Sequence, residues 1–247
     1  MSDSPSTARA AGPRLLALDT ATERLCVAVV VGDQQWVADE AGGALASARV
    51  LPLSFELLAR AGIDVGGLDA IAFGRGPGAF TGLRTACSVA QGLALGAALP
   101  VLPIDSLALV AEDAFAQRGV AEVWVAMDAR MDEVYAAAYR RVDGNWQEAQ
   151  APALWALPAL LEAWQHRPPA CVAGTALVAF GPRLPTGNAL RVPATQDRAA
   201  ALARLARAAW RRGEAVDAAQ ALPLYLRDKV ALTSAERAAL AAAKVVA

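Results

Sequence analysis

Apolar residues fall along this chain in two rhythms: short runs that end in turn residues, and longer stretches at helical spacing. Leu15 to Leu18 is an apolar run ending in Asp19-Thr20-Ala21-Thr22. A β-rich run from Leu25 to Val31 follows, and Gly32-Asp33 turns the chain into Gln34 to Ala38. These predict three consecutive antiparallel strands. A helix is expected over 47–61, closed by Gly62. Pro52 in its first turns removes the bond to the carbonyl of Ala48, so that helix should start late or kink. Asp69 to Phe73 predicts the next strand, Gly82 to Ala97 a helix rich in alanine and glycine, and Val101 to Ile104 another strand. Ser106 then caps a helix running to Gln117. The first half reads β-β-β-α-β-α-β-α, the order of a mixed α/β sheet.

The pattern then recurs. LALDTATERLCVAV, Leu16 to Val29, aligns with VAMDARMDEVYAAA, Val125 to Ala138, matching Asp19 to Asp128, Ala17 to Ala126, Leu25 to Val134 and Ala28 to Ala137. Each segment is a strand, an aspartate, a tight turn and a second strand, which predicts two related α/β lobes. Further on, Asp143-Gly144-Asn145 marks a hairpin turn, 158–165 a helix, Cys171 to Ala173 a strand and Leu190 to Val192 another. Asp197 caps a helix to Arg212, and 233–246 is expected to be a terminal helix. The resulting division is a disordered leader over 1–13, a first lobe over 14–105, a second over 106–230 and a terminal helix or tail over 231–247.

Between the fourth strand and its helix lies GRGPGAFTGLR, Gly74 to Arg84. Gly74, Gly76 and Gly78 permit positive φ and close approach, Pro77 stiffens the turn, and Thr81 stands where a helix N-cap is expected. Such a turn binds phosphate when its N–H groups converge at a helix N-terminus, or it simply connects two elements. It is not a P-loop, because no Lys-Ser or Lys-Thr pair follows at the required spacing. The helix over 47–61 is apolar on more than one side, with Val50, Leu53 and Leu57 in one stripe and Leu51, Phe55 and Leu58 in another. Either one stripe meets a partner or both are buried within the chain.

With 247 residues and 56% hydrophobic content, the chain can build a sizeable core. Its net charge of -1 gives no overall electrostatic case for nucleic acid, so any RNA contact is local or made through a partner. Cys26, Cys87 and Cys171 are widely spaced in apolar surroundings and read as reduced core residues of a cytosolic protein. The first residues carry no apolar signal region. Thr85 to Ile104 is twenty residues without a charge, with Gly92 and Gly96 at GxxxG spacing. Ser88 and Gln91 interrupt it, and Pro100 and Pro103 break any spanning helix, so a buried helix followed by a buried strand is expected.

LALDTATERLCVAV, AIAFGRGPGAFTGLRTACSVAQGLALGAALPVL, MDARMDEVYAAAY and ALPLYLRD occur in order over Leu15 to Asp228. Together they resemble the bacterial TsaB family of tRNA threonylcarbamoyladenosine biosynthesis proteins. The resemblance implies a duplicated actin-like ATPase, or RNase H-like, α/β fold, each lobe with a mixed sheet opening on antiparallel strands. It implies a non-catalytic role beside the paralogue TsaD, which transfers a threonylcarbamoyl group to the adenosine next to the anticodon in tRNAs reading codons that begin with A. It further implies TsaD and TsaE as partners, tRNA reached through the complex, a homodimer when the chain is alone and a cytoplasmic location. It implies no cofactor beyond weak ADP or ATP binding within the complex. Two departures are visible: Ala46 where the family often has His, and Asp132 where it often has Gly.

On this resemblance the association surface comprises the glycine turn and the two first-lobe helices, with Val50, Leu53, Leu57, Thr85 and Val89 as contacts. The catalytic paralogue holds a metal with a pair of helix histidines. This chain has only His166, placed where a helix ends before Pro168-Pro169, so neither a metal site nor a catalytic residue is expected. Asp19 and Asp128 either face each other across an interdomain cleft and hold Mg²⁺ on a nucleotide, with Gly76 and Gly78 beside its phosphates, or each stabilises its own turn. Arg204, Arg207 and Arg211, with Arg198 and Arg212 nearby, form a basic helix face, open to tRNA phosphates or merely solvated. Two rivals therefore stand beside the partner-subunit reading: a nucleotide-dependent phosphotransferase or hydrolase using Asp19 and Asp128, and an autonomous RNA-binding module.

Overall fold

Two five-stranded mixed sheets frame the computed structural model, which describes residues 12–227. The first sheet contains β1 (Arg14–Asp19), β2 (Arg24–Val31), β3 (Gln34–Ala41), β4 (Ala70–Gly76) and β5 (Val101–Asp105), in spatial order β3-β2-β1-β4-β5. The second contains β6 (Glu122–Asp128), β7 (Glu133–Val142), β8 (Asn145–Ala156), β9 (Cys171–Ala173) and β10 (Leu190–Val192), in order β8-β7-β6-β9-β10. In both sheets the first three strands are antiparallel and the last two join in parallel. Replacing β1–β5 by β6–β10 therefore reproduces the order. The recurrence in sequence is a duplication of architecture, and the fold is the two-lobed actin-like, RNase H-like α/β arrangement.

The helices follow the same duplication: α1 (Ala46–Arg60), α2 (Phe80–Ala97), α3 (Ser106–Arg118), α4 (Leu157–His166), the short α5 (Ala176–Ala179) and α6 (Arg198–Arg211). Residues of α1 and α2 pack with Leu16, Leu18, Val27, Ile71 and Phe73 on the outer face of the first sheet. Residues of α4 and α5 pack with Trp124, Ala126 and Val134 on the outer face of the second. Between the sheets lie α3 and α6, in one core that contains Leu15 and Ala28 from the first sheet and Val125 and Ala137 from the second. The helix α6 packs back on β1, β2 and β3, while α3 packs against β6 and β7. Its alanines favour the helix and let its axis approach the strands, and Ala199, Ala201, Ala203 and Ala206 are all fully buried. The first sheet ends in sequence at Asp105 and the second begins at Glu122, while one core runs between both.

The segment from Thr85 to Ile104 divides into α2 and β5, and no helix among the described residues is long and apolar enough to cross a membrane. Pro52 sits inside α1, which is continuous from Ala46 to Arg60; the expected late start does not occur. Asp105, rather than Ser106, caps α3, its carboxylate accepting from the Leu107 N–H at 2.8 Å. Residues 1–11 of the expected leader and the whole 231–247 segment lie outside the described residues.

Candidate functional site

The strand β4 continues through Gly74 and Arg75, beyond the Phe73 at which its apolar pattern stops. Of the three alternating glycines only Gly76 has a positive φ, 110°, and the Gly76–Pro77 peptide is cis. The other two are required by close approach. A Cβ on Gly74 would overlap the Asp19 carboxylate, and one on Gly78 would overlap the backbone of Ala21. The stretch therefore makes room for the turn between β1 and β2. Thr81 is the second residue of α2 rather than its cap; Ala79 takes the cap position and supplies no side-chain bond. Two N–H groups of the turn already have partners in the chain: Ala79 N–H donates to the Ala21 carbonyl at 2.8 Å and Gly76 N–H to Ser106 Oγ at 3.2 Å.

Asp19, at the end of β1, is the hub of this packing and is fully buried. Its Oδ1 accepts from Ala21 N–H at 3.0 Å and from Arg198 Nη2 at 3.3 Å, and its Oδ2 accepts from Ser106 Oγ at 2.7 Å. Arg198, on the first turn of α6, is only 3% exposed. A carboxylate and a guanidinium are thus buried as a pair, the condition under which interior charges are tolerated. The signal for it was present in the sequence. A cation directly after the cap Asp197 opposes the helix dipole and needs a partner, yet the expectation placed Arg198 on the basic face.

A cleft of about 1030 Å³ separates the lobes in front of this hub. Ser106 and Arg198 line it, while Asp19 does not. Asp128 does line it, but its Oδ1 accepts from Arg130 N–H at 2.8 Å and its Oδ2 lies 3.4 Å from Arg130 Nη1. Of the two readings of these aspartates, a pair of free carboxylates facing each other across the cleft is not formed: Arg198, Ser106 and the Ala21 N–H hold Asp19, and the local turn holds Asp128. Among the described residues no three His, Cys, Asp or Glu side chains converge as metal ligands would. A segment the sequence left without a role, Leu222 to Arg227, closes one side of the cleft. Leu224 N–H donates to the Arg75 carbonyl at 2.7 Å, and the Tyr225 ring packs 5.2 Å from that of Phe80. Arg84 Nε reaches the Tyr225 hydroxyl at 3.1 Å, and Arg227 pairs with Glu133 at 2.6 Å. It straps the first lobe to the second.

On α1 the two apolar stripes separate. Val50, Leu53 and Leu57 are at most 3% exposed and belong to the core over the first sheet. Their assignment as partner contacts is corrected, since this chain itself covers them. Leu58 is buried as well, whereas Leu51 and Phe55 stand 37% and 50% exposed. On α2, Thr85 and Val89 are half-buried, Ser88 and Gly92 are open, and Leu95 is 59% exposed. The outward apolar groups of the two helices are thus Leu51, Phe55 and Leu95, bordered by Thr85 and Val89.

The arginines of α6 also differ from a uniform basic face. Arg204 binds Glu112 at 2.5 Å, and Arg212 binds Glu214. Arg207 donates to Gly32 and Gln34 carbonyls and to Gln35 Oε1, and so holds the β2–β3 turn. His166 ends α4 and is exposed, as its position before two prolines predicts. All three cysteines are free and buried; burial raises their thiol pKa, that of Cys171 to about 11, so they are unreactive core groups.

The family model described as TsaD, tRNA N6-adenosine threonylcarbamoyltransferase, matches residues 44–171. A tRNA threonylcarbamoyladenosine biosynthesis protein TsaB of Haemophilus influenzae is 46% identical over 49% of this chain and 51% of its own length. The protein of the same name from Escherichia coli is 35% identical over 88% of this chain and 96% of its own. The solved structure of a Pseudomonas aeruginosa protein with similarity to the peptidase YeaZ superposes with a TM-score of 0.80 at 40% identity, covering 87% of this chain and 100% of that one. A second Pseudomonas aeruginosa structure, of YeaZ, gives 0.75 at 38%, with the same coverage. With the Escherichia coli relative matched almost end to end and the Pseudomonas aeruginosa structures over their whole length, this chain belongs to the TsaB family of tRNA threonylcarbamoyladenosine biosynthesis proteins.

Proposed function

We propose that this chain is a non-catalytic subunit in tRNA threonylcarbamoyladenosine formation, acting by binding TsaD through the outward surface of α1 and α2. The shared name of its relatives supports the pathway. The observation that carries the subunit role is the contrast between the two candidate surfaces. The hub at Asp19 is closed by Arg198, Ser106 and the Ala21 backbone, while α1 and α2 turn Leu51, Phe55 and Leu95 to the outside. Large apolar side chains left outside a well-filled core mark a docking surface. On this reading TsaE and tRNA meet the chain within the complex in the cytoplasm, the isolated chain covers the same helices by forming a homodimer, and nucleotide binding is weak and confined to the complex.

The test replaces Phe55, the more exposed residue of the α1 pair, with Glu. The expected outcome is an unchanged melting temperature and a loss of TsaD affinity of roughly thirtyfold or more, the effect of about 2 kcal/mol at a central contact. Cells relying on Phe55→Glu should accumulate tRNA without threonylcarbamoyladenosine, read by mass spectrometry of digested tRNA. Normal TsaD binding by the folded variant would place the interface elsewhere. Steady ATP turnover by the pure chain, abolished by Asp128→Asn, would favour the phosphotransferase or hydrolase instead.

A further inference from the structure

A second groove, of about 580 Å³, opens between the lobes where β5, the β7–β8 hairpin and the C-terminal half of α6 meet. The proposed docking surface does not use it. Arg75, Arg141, Arg204, Arg207, Arg211 and Arg212 line it, against Asp105, Glu112, Glu148 and Glu214, an excess of two positive groups. Three of the four carboxylates are already engaged. Glu112 accepts from Arg141, Arg204 and the Trp146 indole N–H, at 2.7, 2.5 and 2.8 Å. Glu214 chelates Arg212 through both oxygens, and Asp105 accepts from the Tyr139 hydroxyl and the Leu107 N–H.

The remaining cations are compensated only at a distance: the Arg75 charge acts on Asp105 and that of Arg207 on Asp33, without direct contact. Among the described residues, Arg75, Arg207 and Arg211 form no ion pair; Arg207 donates only to neutral oxygens, and Arg211 is exposed. Two guanidinium N–H groups of the lining arginines, Arg75 Nε and Arg204 Nη2, are buried and have no acceptor among the described residues. Buried donors are almost always satisfied, and an exception calls for an explanation. A concave wall that concentrates positive charge attracts anions, and guanidinium groups match phosphate oxygens in geometry.

We propose that this groove binds phosphate groups, with Arg75 and Arg211 contacting the phosphate and Arg207 adding charge behind them. The same chemistry is carried by a polynucleotide backbone and by a small phosphorylated ligand. This inference does not depend on the docking surface of α1 and α2.

The test uses the full chain and two probes: a fluorescein-labelled tRNA transcript followed by anisotropy, and pyrophosphate followed by calorimetry. Arg211→Glu is the principal variant, because its side chain is exposed and holds no other element. Arg118→Glu, an exposed arginine of α3 outside the groove, changes net charge equally and is the control. The expected result is that Arg211→Glu weakens binding of a probe by about tenfold or more. For tRNA the salt dependence should fall by about one phosphate contact. Arg118→Glu should stay within about twofold of the parent chain. Arg75→Gln should also lose affinity, with its melting midpoint showing that the fold survives. A response to tRNA alone identifies a polynucleotide backbone as the source, and one to pyrophosphate alone a small ligand. Failure of both probes to bind at millimolar concentration, or equal losses in Arg211→Glu and Arg118→Glu, overturns the proposal.

Discussion

Asp19 and Arg198 are separated by most of the chain, yet each is the reason the other can be buried. Removing one member of such a pair strands a charge in the interior at a cost of about 3–5 kcal/mol, whereas removing both together is far milder. Arg198→Met should therefore lower stability by roughly that amount in urea titrations, and the double variant Asp19→Asn with Arg198→Met should recover most of it. Equal stability of Arg198→Met and the parent chain would show that Asp19 is held by Ser106 and the Ala21 N–H alone. The glycines of the central stretch obey a related logic. Gly74 lacks a side chain because Asp19 occupies the space, while Gly92 on α2 faces nothing within 4 Å. Asp132 shows the reverse case. It stands at φ 59°, in a run with Arg130 and Met131 that also has positive φ, where a glycine would fit without strain.

The helix α1 shows how much a single element can mislead when read as a cylinder. Its apolar residues cover more than one side, and the side that turns to the sheet is the one carrying Val50, Leu53 and Leu57. Fully burying a leucine contributes about 1.5–3 kcal/mol, and an unpaired carboxylate in its place adds a desolvation penalty. Leu53→Glu is therefore expected to unfold the chain or lower its melting temperature by many degrees. A Leu53→Glu protein that melts like the parent would restore the original assignment of that stripe to a partner.

The two lobes are joined by more than the chain that connects them. Asp105 at the end of β5 accepts a 2.5 Å hydrogen bond from the Tyr139 hydroxyl on β7, beside the second inter-lobe groove. Burial raises the Asp105 carboxyl to about 6; the bonds from Tyr139 and Leu107 and the Arg75 charge pull it back only in part, and Glu148 adds to the rise. The folded state thus holds this proton more tightly than the unfolded chain, whose aspartates titrate near 4. Its contribution to stability is complete below about pH 4 and is lost as pH rises through about 6. Asp105→Asn keeps an acceptor for Leu107 and has no charge to bury. Relative to the parent it should gain on the order of 1–3 kcal/mol between pH 4 and pH 7.5, read from urea midpoints at each pH. A stability difference that does not change with pH would mean that Asp105 titrates normally.

Much of this was written locally. Runs such as Leu25 to Val31, the Asp143-Gly144-Asn145 turn and the Asp197 cap declare their elements through side-chain spacing and backbone preference, which act over a few residues. The repeat of Asp19 in Asp128 announced the duplication for the same reason. The candidate site was less legible. Arg198 reaches Asp19 only because α6 returns to the first sheet, and Leu222 to Arg227 becomes a strap only when both lobes are in place. The choice between the two stripes of α1 depends on the direction from which a sheet approaches it. Amphipathic pattern states that a face will be covered; what covers it, and which buried charge finds which partner, are contacts between distant parts of the chain that exist once the core has closed.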